Sequence, residues 1–91
     1  MERTATWHIE VFLFEEGDRT RAEAVLRTSA GTELRHEGVA RRNPKDTEVP
    51  EIGEELATAR ALSGLAHDLF EATIGDIEQN VHERMVNETP Q

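Results

Sequence analysis

Ile52-Gly-Glu-Glu-Leu-Ala-Thr-Ala-Arg-Ala-Leu-Ser-Gly-Leu-Ala-His-Asp-Leu-Phe-Glu-Ala-Thr-Ile74 is the longest periodic segment of the chain. Ile52, Leu56, Ala59, Leu62, Ala66, Leu69, Phe70 and Thr73 recur at three- and four-residue steps, the period of one helical face. At about 100° per residue, Leu62, Leu65 and Leu69 form one apolar flank, and Ile52, Leu56, Phe70 and Ile74 form another. A narrow strip with Arg60, His67, Asp68 and Glu71 is the clearly polar part. A helix lying on one sheet needs a narrower apolar stripe than this. The second flank therefore calls for a second cover, either the C-terminal tail or another chain.

On the C-terminal side, Gly75 predicts a helix stop, and Asp76 with Gln79 resembles a capping pair. Ile77, Val81 and Met85 continue at four-residue steps, which predicts a short second helix to about Arg84, placed to cover the spare flank. Asn87 to Gln91 reads as a frayed tail. On the N-terminal side, Pro44 and Pro50 punctuate a loop from Asn43 to Pro50. Pro50 suits a first helical turn, where its missing N–H is not needed. Glu51, Glu54 and Glu55 then lie near the positive end of the helix dipole.

Upstream, Thr6 to Phe14 alternates, with Trp7, Ile9, Val11 and Leu13 on one face and His8, Glu10, Phe12 and Phe14 on the other. Glu15-Glu16-Gly17-Asp18 supplies a turn, with Gly17 free to take a positive φ. Arg19 to Thr28 predicts a second strand with Ala22, Ala24 and Leu26 inward, and Ser29-Ala30-Gly31-Thr32 a second turn. Glu33 to Arg42 predicts a third strand with Leu34, His36, Gly38 and Ala40 inward. Two short turns in succession make a three-stranded antiparallel meander. Its small inward residues would receive the large side chains of the helix, while Trp7, Ile9, Val11 and Leu13 supply bulk. The expected fold is α+β: this meander packed on one long C-terminal helix, with a short extra helix after it. One domain over 1–91, ordered from about 5 to 84, is what this length accommodates.

The net charge of −9 opposes non-specific attraction to nucleic acid or an anionic membrane. Absence of cysteine excludes disulfides, thiol chemistry and thiolate metal sites. Met1-Glu2-Arg3 leads into no long apolar run, so neither a signal peptide nor a membrane span is expected, and the cytoplasm is the default location.

Gly38-Val39-Ala40-Arg41, Asn43-Pro44, Val49-Pro50-Glu51-Ile52-Gly53-Glu54-Glu55-Leu56-Ala57 and Ala59-Arg60-Ala61-Leu62-Ser63 resemble a small actinobacterial family, catalogued as domain of unknown function 1876. Arg19-Thr20-Arg21-Ala22 and Asp76-Ile77-Glu78 resemble it too, so the likeness runs from about Trp7 to Glu78. The resemblance implies a β-meander and a long helix, similar to the double-stranded-RNA-binding domain (dsRBD) fold, and implies no activity. A true dsRBD begins with a helix that reads a minor groove, and strand one starts here too close to Met1 to leave room for it. Where that domain sets lysines against phosphate at its last helix, this chain has Glu51, Glu54 and Glu55. RNA binding by that surface is therefore disfavoured.

Candidate sites are few. Phe12, Phe14, Val25 and Val39 fall on the outer sheet face, and Phe12, Val25 and Val39 could form an apolar stripe, the kind that marks an interface. The competing reading is scattered apolar residues between long Arg and Glu stems. Self-association, as a homodimer, or binding of another protein is the leading functional reading, and Phe12→Glu is expected to abolish a dimer built on this stripe. Arg41, Arg42 and Lys45, with Arg27 and Arg35 across the face, form the basic cluster, read either as an anion or nucleic-acid patch or as solvated charges paired with Glu23, Glu33 and Glu37. A weak nucleic-acid binder using Arg41, Arg42 and Lys45 is the alternative function. His67 and Glu71 could be two metal ligands, but no third follows, and no metal or other cofactor is expected. His36 faces the core as a hydrogen-bonded structural histidine. No nucleophile motif or phosphate loop is present, so no enzyme is expected.

Overall fold

The structure, a computed structural model, describes residues 2–43 and 49–88. Three strands, β1 (His8–Glu16), β2 (Arg19–Arg27) and β3 (Glu33–Arg41), precede one helix, α1 (Pro50–Glu88). The sheet is antiparallel in the order β1-β2-β3, the meander that two consecutive short turns demand. Gly17, at φ 64°, opens the two-residue connection between β1 and β2, where a side chain would meet its own carbonyl. In the second turn the Gly31 N–H donates to the Thr28 carbonyl at 3.1 Å, and the Thr28 N–H donates to the Thr32 carbonyl at 3.0 Å. The register sets Leu13, Ala22 and Gly38 in one row, Val11, Ala24 and His36 in the next, and Ile9, Leu26 and Leu34 in a third.

α1 lies across this face, over β3 and β2, and barely reaches β1. It packs through its smallest residues. Ala57, Ala61 and Leu65 are buried against Ala22, Ala24, Leu26 and Ala40. A Cβ on Gly38 would overlap the Ala57 carbonyl and the Ala61 amide, so helix backbone rests directly on β3. Gly53 sits on the Thr20 side chain, and Gly64 leaves the space taken by the His36 ring. His36 Nδ1 is 2.7 Å from Asp68 Oδ2, which ties β3 to the middle of the helix.

Three expectations are corrected. The helix does not stop at Gly75, and no separate short helix follows: α1 runs unbroken for 39 residues, through Asn87 to Glu88. Gly75 has an ordinary negative φ, because one glycine costs only about 1 kcal/mol in a helix and nothing else here breaks it. Second, the buried strip is displaced by one residue from the expected face. Ile52 and Phe70 are more than 60% exposed, while the sheet contact falls on Gly53, Ala57, Ala61 and Leu65. A helix with apolar residues almost all round has several faces to choose from, and the smallest allows the closest approach to a sheet paved with Ala and Gly. Third, Trp7, Ile9 and Leu13 point to the correct face but remain about half exposed, because α1 does not cover β1. Val11 alone of that row joins the core edge, with Leu34 and Leu69.

The result is elongated. The radius of gyration is 19.2 Å, against about 12 Å for a compact chain of this length. From Phe70 onward every described side chain on α1 is exposed. Ala72, Thr73 and Asp76 still border a cleft shared with Trp7 and Leu34, and the helix then runs on past the sheet.

Candidate interaction surface

The outer sheet face is built on ion pairs. Val25 lies between Glu10 of β1 and Arg35 of β3. Arg27 pairs with Glu10, and Arg35 with Glu23; Glu33 bridges both arginines, at 3.4 Å from Arg27 Nε and 2.7 Å from Arg35 Nε. The hydrogen bond from Arg35 holds the Glu33 carboxyl below the usual carboxylate range. Under this layer Val25 has no exposed surface at all, which removes it from any contact stripe. Long Arg and Glu stems lie over apolar neighbours and carry their charge to water. Arg21 does the same for Phe14, its guanidinium carbon 4.1 Å from the ring centroid. Val39 is half-buried. Phe12 and Phe14 remain about 40% exposed at the β1 edge, without the continuous stripe that Val25 was expected to complete.

Of the basic residues, Arg41 and Arg42 come together, while Arg27 and Arg35 are drawn to other partners. Arg27 and Arg35 are committed to Glu10, Glu23 and Glu33. Arg41 is exposed, and the Arg42 backbone N–H donates to the Asp18 carbonyl at 2.7 Å. Both border a cleft of about 350 Å³ beside Glu15, Ile52 and Leu56. Lys45 lies outside the described residues. The Glu54 carboxyl is pushed above its ordinary range, first by a hydrogen bond with Glu15, then by burial and by the charges of Glu15 and Glu51. His67 Nε2 and Glu71 Oε1 are 3.7 Å apart on an exposed turn of α1. Among the described residues no group of three His, Asp or Glu side chains converges on a common point.

What the structure does assemble is a long apolar flank on α1. Ile52 and Leu56 open it beside β3, and Phe70, Ile74, Ile77, Val81 and Met85 continue it beyond the sheet, each 38–64% exposed. Steps of four, three, four and four residues from Phe70 keep these five side chains on one side of a straight helix. Between the two groups the same side carries Ala59 and Ser63, too small to protrude. The expected break at Gly75 divides Ile52, Leu56, Phe70 and Ile74 from Ile77, Val81 and Met85. With that glycine helical, they are one surface.

Relatives share the fold. The sequence profile of the Rv2632c-like family matches residues 5–86. The chain belongs to the Rv2632c-like family. It is 47% identical over 78 residues to uncharacterized protein Rv2632c of Mycobacterium tuberculosis, covering 86% of this chain and 83% of that one. To uncharacterized protein Mb1767 of Mycobacterium bovis it is 43% identical over 77 residues, or 85% and 81% of the two chains. A crystal structure of Rv2632c superimposes with a TM-score of 0.80 at 46% identity, over 89% of this chain and 95% of that one. The Rv2632c-like fold is thus a three-stranded antiparallel sheet on one long C-terminal helix. Among the described residues no helix is long and apolar enough to cross a membrane.

Proposed function

We propose that this Rv2632c-like chain is a small, non-catalytic interaction module of the cytoplasm that self-associates as a homodimer through the apolar flank of α1. The observation that carries the reading is the half of the helix beyond the sheet. It bears Phe70, Ile74, Ile77 and Val81 on one side, each 38–64% exposed. Most helical stability in proteins comes from tertiary packing of an apolar face, so a protruding segment is held folded best by a partner that covers its apolar side. A contiguous exposed apolar surface of this kind marks an interaction site. Compared with the outer sheet face, where Arg and Glu stems cover Val25 and Phe14, it is bare.

Light scattering on the full chain tests this. The wild type is expected at twice the chain mass at tens of micromolar, Ile77→Glu at the monomer mass with its sheet intact, and Phe12→Glu still dimeric. A wild-type monomer sinks the proposal. Dissociation by Phe12→Glu but not by Ile77→Glu would move the contact to the sheet.

A further inference from the structure

The charges along α1 specify how two copies meet. We propose that the two α1 helices pair antiparallel along their apolar flanks, with the two-fold axis passing between His67 and Phe70, so that each protruding half lies beside the partner's sheet-bound half. This rests on the self-association proposed above and adds its geometry.

The apolar residues of one helix fall into two unequal groups, and the antiparallel arrangement matches them. Ile52 meets the partner's Met85, and Leu56 meets the partner's Val81. Small Ser63 and Ala59 stand opposite the partner's Ile74 and the partner's Ile77, so bulk fills the gap that separates the groups. Every large exposed side chain of the flank is then covered. With their rims they comprise an area on the order of 800 Å² per chain, that of a standard stable interface. Pairing only the protruding halves would leave Ile52 and Leu56 bare and bury less.

The flanking charges select the same register. Arg60 falls beside the partner's Glu78, and Glu55 beside the partner's Arg84. Within one chain Glu55 and Arg84 are about 43 Å apart at 1.5 Å rise per residue, so they meet only in trans. A parallel pair would instead leave Glu55 and the partner's Arg84 at opposite ends of the seam and force the two sheets side by side. Antiparallel helices also align their dipoles favourably.

Because the chain has no cysteine, single engineered thiols report on the register. Leu56→Cys and Val81→Cys are introduced in separate full-length chains, at positions already exposed in one chain. The mixture, after subunit exchange and oxidation, is expected to form a disulfide-linked heterodimer, and each variant alone to form little. In parallel, Glu55→Arg is expected to raise the dimer Kd about tenfold, and Glu55→Arg with Arg84→Glu to bring it back within about threefold of wild type. Self-crosslinking of Leu56→Cys alone would overturn the antiparallel arrangement in favour of a parallel one. A dimer by light scattering that gives no crosslink in the mixture and no rescue by charge exchange would overturn this register and leave self-association standing. A wild-type monomer would overturn both.

Discussion

The two halves of α1 have opposite surfaces. Up to Leu69 the helix presents its smallest residues to the sheet, with Gly53, Ala57, Ala61 and Gly64 in contact and Leu65 the largest buried side chain it contributes. From Phe70 on it carries large side chains in a row, all exposed. The difference separates two kinds of apolar surface. Close packing inside the chain is achieved by removing side chains until backbone meets backbone, and the surface left for a partner keeps its bulk. Hydrophobicity alone does not tell the two apart; volume does.

The strongest way to break this contrast is to add volume at the close contact. Gly38→Val places side-chain atoms where the Ala57 carbonyl and Ala61 amide stand, so the helix must lift. A loss of about 3 kcal/mol or more is expected, read as a drop in the denaturant midpoint. Removing volume separates the halves next. Leu65→Ala, at a site 3% exposed, is expected to cost about 2–4 kcal/mol. Phe70→Ala, one and a half turns further and 64% exposed, is expected to change monomer stability by less than about 0.5 kcal/mol. Equal costs at the two sites would mean that the protruding half is packed within the chain after all.

A smaller effect, of opposite sign, tests the continuity of the helix. A Cβ on Gly75 meets nothing, and the residue is helical. Gly75→Ala is therefore expected to stabilise α1 by about 1 kcal/mol and to slow amide exchange in its second half. Destabilisation would restore a stop at that position.

The smallest expected effect is electrostatic and belongs to the packed half. The Glu54 carboxyl, hydrogen-bonded to Glu15, binds its proton more tightly in the fold than in the unfolded chain. Its favourable contribution is full below the ordinary carboxylate range and is lost as pH rises through the raised value. Glu54→Gln should thus raise the unfolding midpoint at neutral pH, with the gain vanishing at about pH 4. Glu33, lowered by Arg35, has the reverse sign. Its contribution is present above the ordinary range and lost as pH falls, so Glu33→Gln should lower the midpoint at neutral pH only.

How much of this was legible differs from residue to residue. The strands followed from alternation and turn chemistry, and their observed limits lie within two residues of those expected. His36 was expected to be hydrogen-bonded, and it is, through Asp68, although its side chain remains 40% exposed. Val25 was misjudged because strand alternation assigns a face without saying what lies above it. Its cover comes from Glu10, Glu23 and Glu33, on all three strands, paired to Arg27 and Arg35. Gly75 was misjudged because a glycine inside a periodic pattern can be either a stop or a tolerated helical residue. Its local signal is worth only about as much as the next helical turn supplies.

By itself, the order of residues determined the α+β class, the antiparallel meander, the inward faces of the strands and an apolar surface on the helix too wide for one sheet. Each of these rests on a period or a turn, which are local quantities. Tertiary structure alone decided which face of α1 the sheet takes, that the helix continues beyond it, and that β1 stays half uncovered. Those outcomes depend on how closely two backbones can approach, at Gly38 against Ala57 and Ala61, and no local pattern contains that distance.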